Sequence, residues 1–167
     1  VNGSSDVVLD NTYKEYLFTF KNIHTNADQV DLTFNGSDDT SSHSYDITKT
    51  TTFFEAFHNE GDTSAEVGYL AGADLAQSTA VQPLGSGLGN ANDENLGGYL
   101  HLFNPSDTTF VKHFISKINQ SYRVGLPGSI NQFVAGYFNT TAAITAVQFK
   151  MESGNIDAGD ICLYGIK

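Results

Sequence analysis

Two histidines and a tyrosine are the side chains whose types most readily suggest shared chemistry. Tyr99, His101 and His113 fall in two stretches, 98–103 and 110–118, that alternate apolar with polar residues. If these stretches pair as a hairpin, the three side chains project from one face with the histidines diagonal to each other. Imidazoles bind transition metals or sense pH. His101 and His113 are candidate metal ligands without an evident third ligand, and a solvated or subunit-facing strand surface is the alternative.

A group of oxygen ligands lies in the polar stretch 85–95. Asn92, Asp93 and Glu94 follow one another there, and Ca²⁺ prefers carboxylate and amide oxygens. The EF-hand pattern is absent, so these residues are weak calcium candidates, and an ordinary surface loop is the alternative. We expect no bound cofactor.

The densest acidic group is the one that bears on catalysis. Glu55, Glu60, Asp62 and Glu66 supply carboxylates of the kind that hydrolyse glycosides in pairs. Charged residues around a Gly-Asp turn are equally typical of a solvated loop. The single Cys162 lies on a predicted strand and is expected to be a packing residue. No nucleophile elbow, zinc-protease helix or phosphate loop occurs, so we expect no catalytic residues and no enzyme.

Three tyrosines are candidates for a sugar-binding platform. Tyr45, Tyr122 and Tyr137 lie in or near predicted strands, and aromatic rings contribute to glycan sites. In β proteins such rings more often lie in the core or at a subunit interface.

Composition limits the class of protein. The chain has 167 residues, of which 40% are hydrophobic, including twelve Phe and eight Tyr. This length and composition predict one domain, 1–167, with a hydrophobic core. The net charge of −11 and the absence of a basic cluster exclude nucleic acid as a partner. No apolar run reaches the roughly 20 residues of a membrane span. The first residue is Val, which leaves room for an upstream segment.

Alternating patterns predict about nine short strands and no helix. They cover residues 16–20, 30–34, 52–57, 67–70, 98–103, 110–118 and 133–138, followed by two strands within 144–167. We expect an all-β, single-domain antiparallel β-sandwich in which 16–20 pairs with 30–34 and 85–95 is a surface loop.

Two hairpins carry more detailed expectations. Residues 144–167 are predicted to form a terminal hairpin, with Phe149 facing inward and with Leu163 and Ile166 secured in the body of the sandwich. The turn at 104–107 predicts a second hairpin, in which Phe103 lies opposite Thr109 and Phe110 belongs to the core.

Several segments along nearly the whole chain carry a resemblance to a known group of proteins. They are residues 10–16 (DNTYKEY), 28–34 (DQVDLTF), 57–60 (FHNE), 100–106 (LHLFNPS), 135–142 (AGYFNTTA), 153–159 (SGNIDAG) and 163–166 (LYGI). The chain resembles small virion-associated proteins of tailed phages, particularly marine and cyanobacterial ones, described as tail-fibre or structural proteins. The resemblance implies a jelly-roll-like β-sandwich displayed on the virus particle, commonly as a homotrimer, and it supplies no catalytic residues.

The expected function is therefore that of a phage virion structural protein at the particle surface. The protein is expected to be a component of a tail fibre, of a baseplate or of a capsid decoration. In each of these it would bind or stabilise other components. The expected partners are copies of the chain, other virion proteins and host cell-surface glycans, without membrane insertion. The alternatives are a free carbohydrate-binding module or adhesin that recognises cell-surface glycans, and a glycan-degrading enzyme domain.

Overall fold

Ten β-strands make up the regular structure in the computed structural model, which describes residues 9–123 and 125–167 apart from the side chains of residues 122 and 123. The strands are β1 (Glu15–Thr25), β2 (Val30–Ser37), β3 (Lys49–Asn59), β4 (Ala65–Tyr69), β5 (Gln82–Leu88), β6 (Leu96–Phe103), β7 (Lys112–Arg123), β8 (Leu126–Phe138), β9 (Ala146–Met151) and β10 (Ile156–Ile166). No helix in the described residues is long and apolar enough to cross a bilayer.

The strands form two antiparallel sheets that pack face to face. The large sheet has seven strands in the order β10-β1-β6-β7-β8-β3-β4, and the small sheet has three in the order β5-β2-β9. The predicted all-β sandwich is confirmed. The sandwich alone does not establish the connectivity of a jelly roll, so the jelly-roll connectivity stays a prediction.

The core lies between the two sheets and is rich in aromatic rings. Alternate residues of β1 and β6 point into it and are buried, among them Phe18, Phe20 and Leu100. Phe34 of β2 lies at the centre, with its ring centroid 5.2 Å from that of Phe114 and 5.5 Å from that of Phe149. Such edge-to-face and offset contacts add to the free energy gained by burying apolar area.

Two predicted strand pairings are wrong. The strands at 16–20 and 30–34 belong to different sheets, because β1 pairs with β10 and β6 whereas β2 pairs with β5 and β9. The terminal hairpin does not form either, since β9 joins the small sheet and β10 crosses to the large one. Period-two alternation shows that a segment is a half-buried strand, but it carries no information about the neighbouring strand.

The last strand is less firmly held than predicted. β10 is an edge strand that pairs with β1 alone among the described strands. Leu163 is half-buried against the core, as expected, but Ile166 is exposed. The expectation that Ile166 is secured in the body of the sandwich is therefore wrong.

The second hairpin forms with a different register. Tyr99 lies opposite Lys117 and His101 opposite Ile115, which is four residues away from the predicted pairing because the connection spans 104–111. Phe110 lies in this loop with 70% of its surface exposed, so its assignment to the core is wrong. A shift by an even number of residues leaves the side chains that lie within the two strands on their predicted faces.

The loop predicted at 85–95 is partly a strand. β5 contains Pro83, Gly85 and Gly87, residues that are uncommon inside strands, and therefore shows no alternating pattern. Side-chain amides hold it on the large sheet: Gln120 Nε2 donates to the Ser86 carbonyl (2.7 Å), and the Ser86 amide donates to Gln132 Oε1 (2.9 Å).

Candidate functional site

The outer face of the large sheet, which points away from the core, carries a continuous set of aliphatic and aromatic side chains. Strand register aligns them in rows that run across the sheet. We call the set the apolar belt; it consists of Tyr164, Leu17, Tyr99, His101, Phe103, Ile115, Ala135, Phe133, Phe54 and Tyr69. Ile115 is near its middle and 48% exposed. In the interior of the belt, the rings of Phe54 and Phe133 stack with centroids 4.8 Å apart.

The outer face has little negative charge for a protein of net charge −11. Outward positions of β6, β7, β8, β3 and β4 carry no carboxylate, and Lys117 lies over the Phe133 ring with Nζ 5.4 Å from its centroid. On the neighbouring strand β1, Glu15 Oε2 lies 2.9 Å from His101 Nε2. The acidic residues therefore lie mainly elsewhere on the molecule.

A shallow depression of about 440 Å³ interrupts the apolar belt. Its centre is Ala135, whose small side chain lies between Ile115 on β7 and Thr52 on β3. His113 and Tyr137 border it, with ring centroids 5.9 Å apart. The depression is mostly apolar and could accept one protruding side chain of another molecule.

A second concave region lies at the corner of the outer face formed by β4, β3, β8 and β7. Two depressions of about 550 and 440 Å³ meet there, and both include His58 and Ser129 in their lining. Ala56, Val67 and Asn131 line the first, and Asn59, Asp62, Asn119 and Ser121 are among the residues that line the second. We call this region the corner groove; its residues are mainly small or polar.

The predicted metal ligands share a face but do not form a recognisable site. His101 and His113 both project from the outer face, where His101 contacts Glu15 and His113 lies against Tyr137. In the described part of the chain no three His, Cys, Asp or Glu residues are grouped so as to hold a metal ion. The hypothesis of a transition-metal site at these histidines gains no support from the geometry.

The predicted calcium residues are used in a local turn. Glu94 Oε2 accepts a hydrogen bond from the Ala91 amide (2.8 Å), and the Glu94 amide donates to the Ala91 carbonyl (2.9 Å). The Asp93 carbonyl accepts from the Ser121 hydroxyl (2.9 Å). Asn92 is exposed, and the calcium site stays a prediction.

The four acidic candidates differ in environment. Glu55 is buried on the inner side of β3, where Gln132 Nε2 donates to its Oε2 (3.3 Å). Glu60, Asp62 and Glu66 are exposed around the β3–β4 turn, and Asp62 contacts His58 (3.0 Å). Sequence proximity therefore does not place Glu55 in the same environment as the other three.

The aromatic candidates do not form the predicted platform. Tyr45 lies in the loop before β3 with its ring 5.8 Å from that of His43, Tyr137 lies on the outer face, and the side chain of Tyr122 lies outside the described residues. The rings that the fold does bring together are those of the apolar belt. The alternation in 52–57 would have indicated that Phe54 faces outward, but not which rings lie beside it.

Comparison of the chain with protein-family models, curated proteins and solved structures gives no match. The functional conclusions below therefore depend on the geometry and on the sequence resemblance described above.

Proposed function

We propose that the protein is a virion structural protein that assembles into a homotrimer through the apolar belt. The observation that carries this proposal is the exposed apolar surface that crosses the large sheet. Monomeric proteins rarely expose contiguous apolar patches beyond a few hundred Å², and larger ones commonly mark interaction sites.

The dimensions of the belt suit a protein partner. Strands spaced about 4.8 Å apart give the seven-stranded sheet a width of about 29 Å, and the belt extends over at most five residues of one strand, 99–103 on β6, which is about 14 Å. The resulting footprint of about 400 Å² is about half of the roughly 800 Å² that each partner contributes to a standard interface, and the neighbouring side chains of the outer face would supply the rest. The depression at Ala135 offers a position for an anchoring side chain from the neighbour.

The distribution of charge favours contact between copies of the chain. Two molecules of net charge −11 repel each other, but the repulsion is weakest when they meet through surfaces without carboxylates. The outer positions of β6, β7, β8 and β3 provide such a surface. Subunit contacts through it would also supply stability that a chain with one cysteine cannot obtain from an internal disulfide.

The location on a virus particle is inferred from the resemblance to phage tail-fibre and structural proteins. A repeated, cofactor-independent β-sandwich suits a tail fibre, a baseplate or a capsid decoration, where the protein binds or stabilises and catalyses no reaction. Other virion proteins are the expected neighbours of the assembled copies.

Quantitative mass spectrometry of purified phage particles tests this proposal. We expect the chain at a fixed copy number that is a multiple of three and resists washing in high salt. Particles of the phage that encodes the chain, purified to constant protein composition but lacking it, would refute the virion assignment.

A further inference from the structure

The corner groove contains polar groups that the fold does not use. The side-chain amide of Asn131 has no hydrogen-bond partner among the described residues, although the residue is half-buried. Asn119 Nδ2 donates to Ser129 Oγ (3.1 Å) and to the Ile130 carbonyl (3.1 Å), which leaves the hydroxyl hydrogen of Ser129 available. Amide and hydroxyl groups that face a depression can exchange hydrogen bonds with a polyhydroxylated ligand.

Apolar surface lies beside these polar groups. Val67 forms one wall of the groove and is 77% exposed. Ala56 and Ala65 also line the groove, and their small side chains leave space above them. In the adjacent row of the sheet, Phe54 and Phe133 are stacked. A few directed polar groups next to apolar surface are the usual composition of small-molecule sites, and they match a sugar ring, which has both C–H faces and hydroxyl edges.

The shape and charge of the groove narrow the class of ligand. Its two depressions extend across four strands, a distance of about 14 Å, which suits linked sugars better than a single ring. Glu60 and Asp62 line one of the depressions, so an anionic ligand would be repelled there.

We infer that the corner groove binds a neutral oligosaccharide. Asn131 and Ser129 contact its hydroxyl groups, and Val67 packs against a C–H face. The inference does not depend on assembly through the apolar belt, because the groove occupies a different part of the outer face. The sequence predicted glycan contacts at Tyr45, Tyr122 and Tyr137, whereas this inference assigns them to the corner groove.

Isothermal titration calorimetry on the full chain tests the inference. The neutral probes are maltohexaose, cellohexaose, laminarihexaose and mannohexaose, and hexa-galacturonate is the anionic probe. We expect at least one neutral hexasaccharide to bind with a dissociation constant below about 1 mM and the anionic one not to bind.

Two variants locate the binding. Asn131→Ala should weaken it about tenfold because hydrogen bonds to the ligand are lost, and Ala56→Arg should abolish it by filling the groove. Asn155→Ala, at an exposed asparagine in the turn before β10 at the opposite edge of the sheet, is the matched control and should bind as the wild type does. Circular dichroism verifies that each variant is folded.

Three results would overturn the inference. They are the failure of every neutral probe to bind with a dissociation constant below about 1 mM, preferential binding of hexa-galacturonate, and wild-type affinity in either groove variant. Particle composition is measured separately, so a failure to bind sugars leaves the proposed virion role unaffected. Absence of the chain from particles likewise leaves the inferred sugar site unaffected.

Discussion

Two lysines are buried among the apolar side chains of the core. Lys49 and Lys112 lie opposite Phe138 from its two sides on the inner face of the large sheet. Lys49 Nζ donates to the Ile47 carbonyl (3.0 Å), and Lys112 Nζ to the Thr140 carbonyl (3.4 Å). Burial lowers the pKa of Lys49 to about 8, against an opposing attraction by Asp46, and burial also lowers the pKa of Lys112. Each lysine therefore carries a desolvation cost when charged.

Lys49→Met should stabilise the protein at neutral pH. Because the folded-state pKa of about 8 lies below the ordinary lysine pKa of 10.5, the desolvation cost of Lys49 is present in full below pH 8 and disappears as the pH rises to 10.5. The expected gain in the free energy of unfolding at pH 7 is about 1 kcal/mol, after the loss of the bond to Ile47.

Urea unfolding at pH 7 and at pH 10 measures this effect, with the exposed Lys21→Met as the control. The control should lie within about 0.5 kcal/mol of the wild type. A Lys49→Met variant that is less stable than the wild type at pH 7 would show that the bond to Ile47 outweighs the desolvation cost.

His24 connects three segments through its two ring nitrogens. Nδ1 lies 2.7 Å from Asp157 Oδ1 on β10, and Nε2 lies 3.1 Å from the Ala91 carbonyl in the turn before β6. Both partners are acceptors, so both contacts are hydrogen bonds only when the imidazole is doubly protonated. The hydrogen bond to Asp157, together with smaller contributions from Ala91 and Asn90, raises the pKa of His24 despite partial desolvation.

The contribution of His24 to stability should therefore be largest in mild acid. Its folded-state pKa lies above the ordinary histidine pKa of 6.5, so the stabilisation is complete below pH 6.5 and is lost as the pH rises through the folded-state pKa. His24→Gln should lower the free energy of unfolding by about 1 kcal/mol at pH 5.5 and by less at pH 9.

Chemical denaturation of this variant at both pH values measures the difference. His43→Gln, in an exposed loop, is the control. An equal loss at the two pH values would rule out a charge-dependent role.

Among the elements, β9 is the one whose inward face is best tested by a single substitution. Phe149 packs with its ring centroid 5.1 Å from those of both Phe18 and Phe20, which joins the small sheet to β1. Phe149→Asp should reduce the free energy of unfolding by at least about 3 kcal/mol, because a charge replaces an aromatic ring against the core. Thermal melts of this variant and of the exposed Lys150→Asp measure the contrast. Comparable melting temperatures for the two would mean that the inward face of β9 is misassigned.

The strands were largely predictable from the sequence, whereas their partners were not. The alternation of Val147, Phe149 and Met151 depends on burial of one face alone, and that face is buried whichever strand lies alongside. Pairing of β9 with β2 is decided by the long-range packing of the two sheets. The corner groove was missed for a related reason: Asn131, Ala56 and Val67 become neighbours only through the register of three strands.

At the scale of the whole molecule, the outer face of the large sheet combines two surfaces with different chemistry. The apolar belt crosses the sheet through Ile115, and the corner groove occupies the end nearest the β3–β4 turn. The two surfaces adjoin, because Ala56 and Asn131 lie two residues along their strands from Phe54 and Phe133. If assembly through the belt leaves the groove accessible, the same copy contacts both its neighbours and a glycan. A particle-bound trimer would then display three grooves, and avidity would raise the effective affinity of weak individual sites.

Ile115→Asp should dissociate the assembled protein without unfolding it. The side chain projects from the centre of the belt, so a carboxylate there places like charges in every copy-to-copy contact. The dissociation constant should rise at least about tenfold, which light scattering after size-exclusion chromatography detects as a change from trimer to monomer mass. Phe110→Asp removes a more exposed apolar residue in the loop 104–111, off the belt, and should stay trimeric. A wild-type chain that remains monomeric at about 100 µM, or equal masses for the two variants, would exclude the belt as the assembly surface.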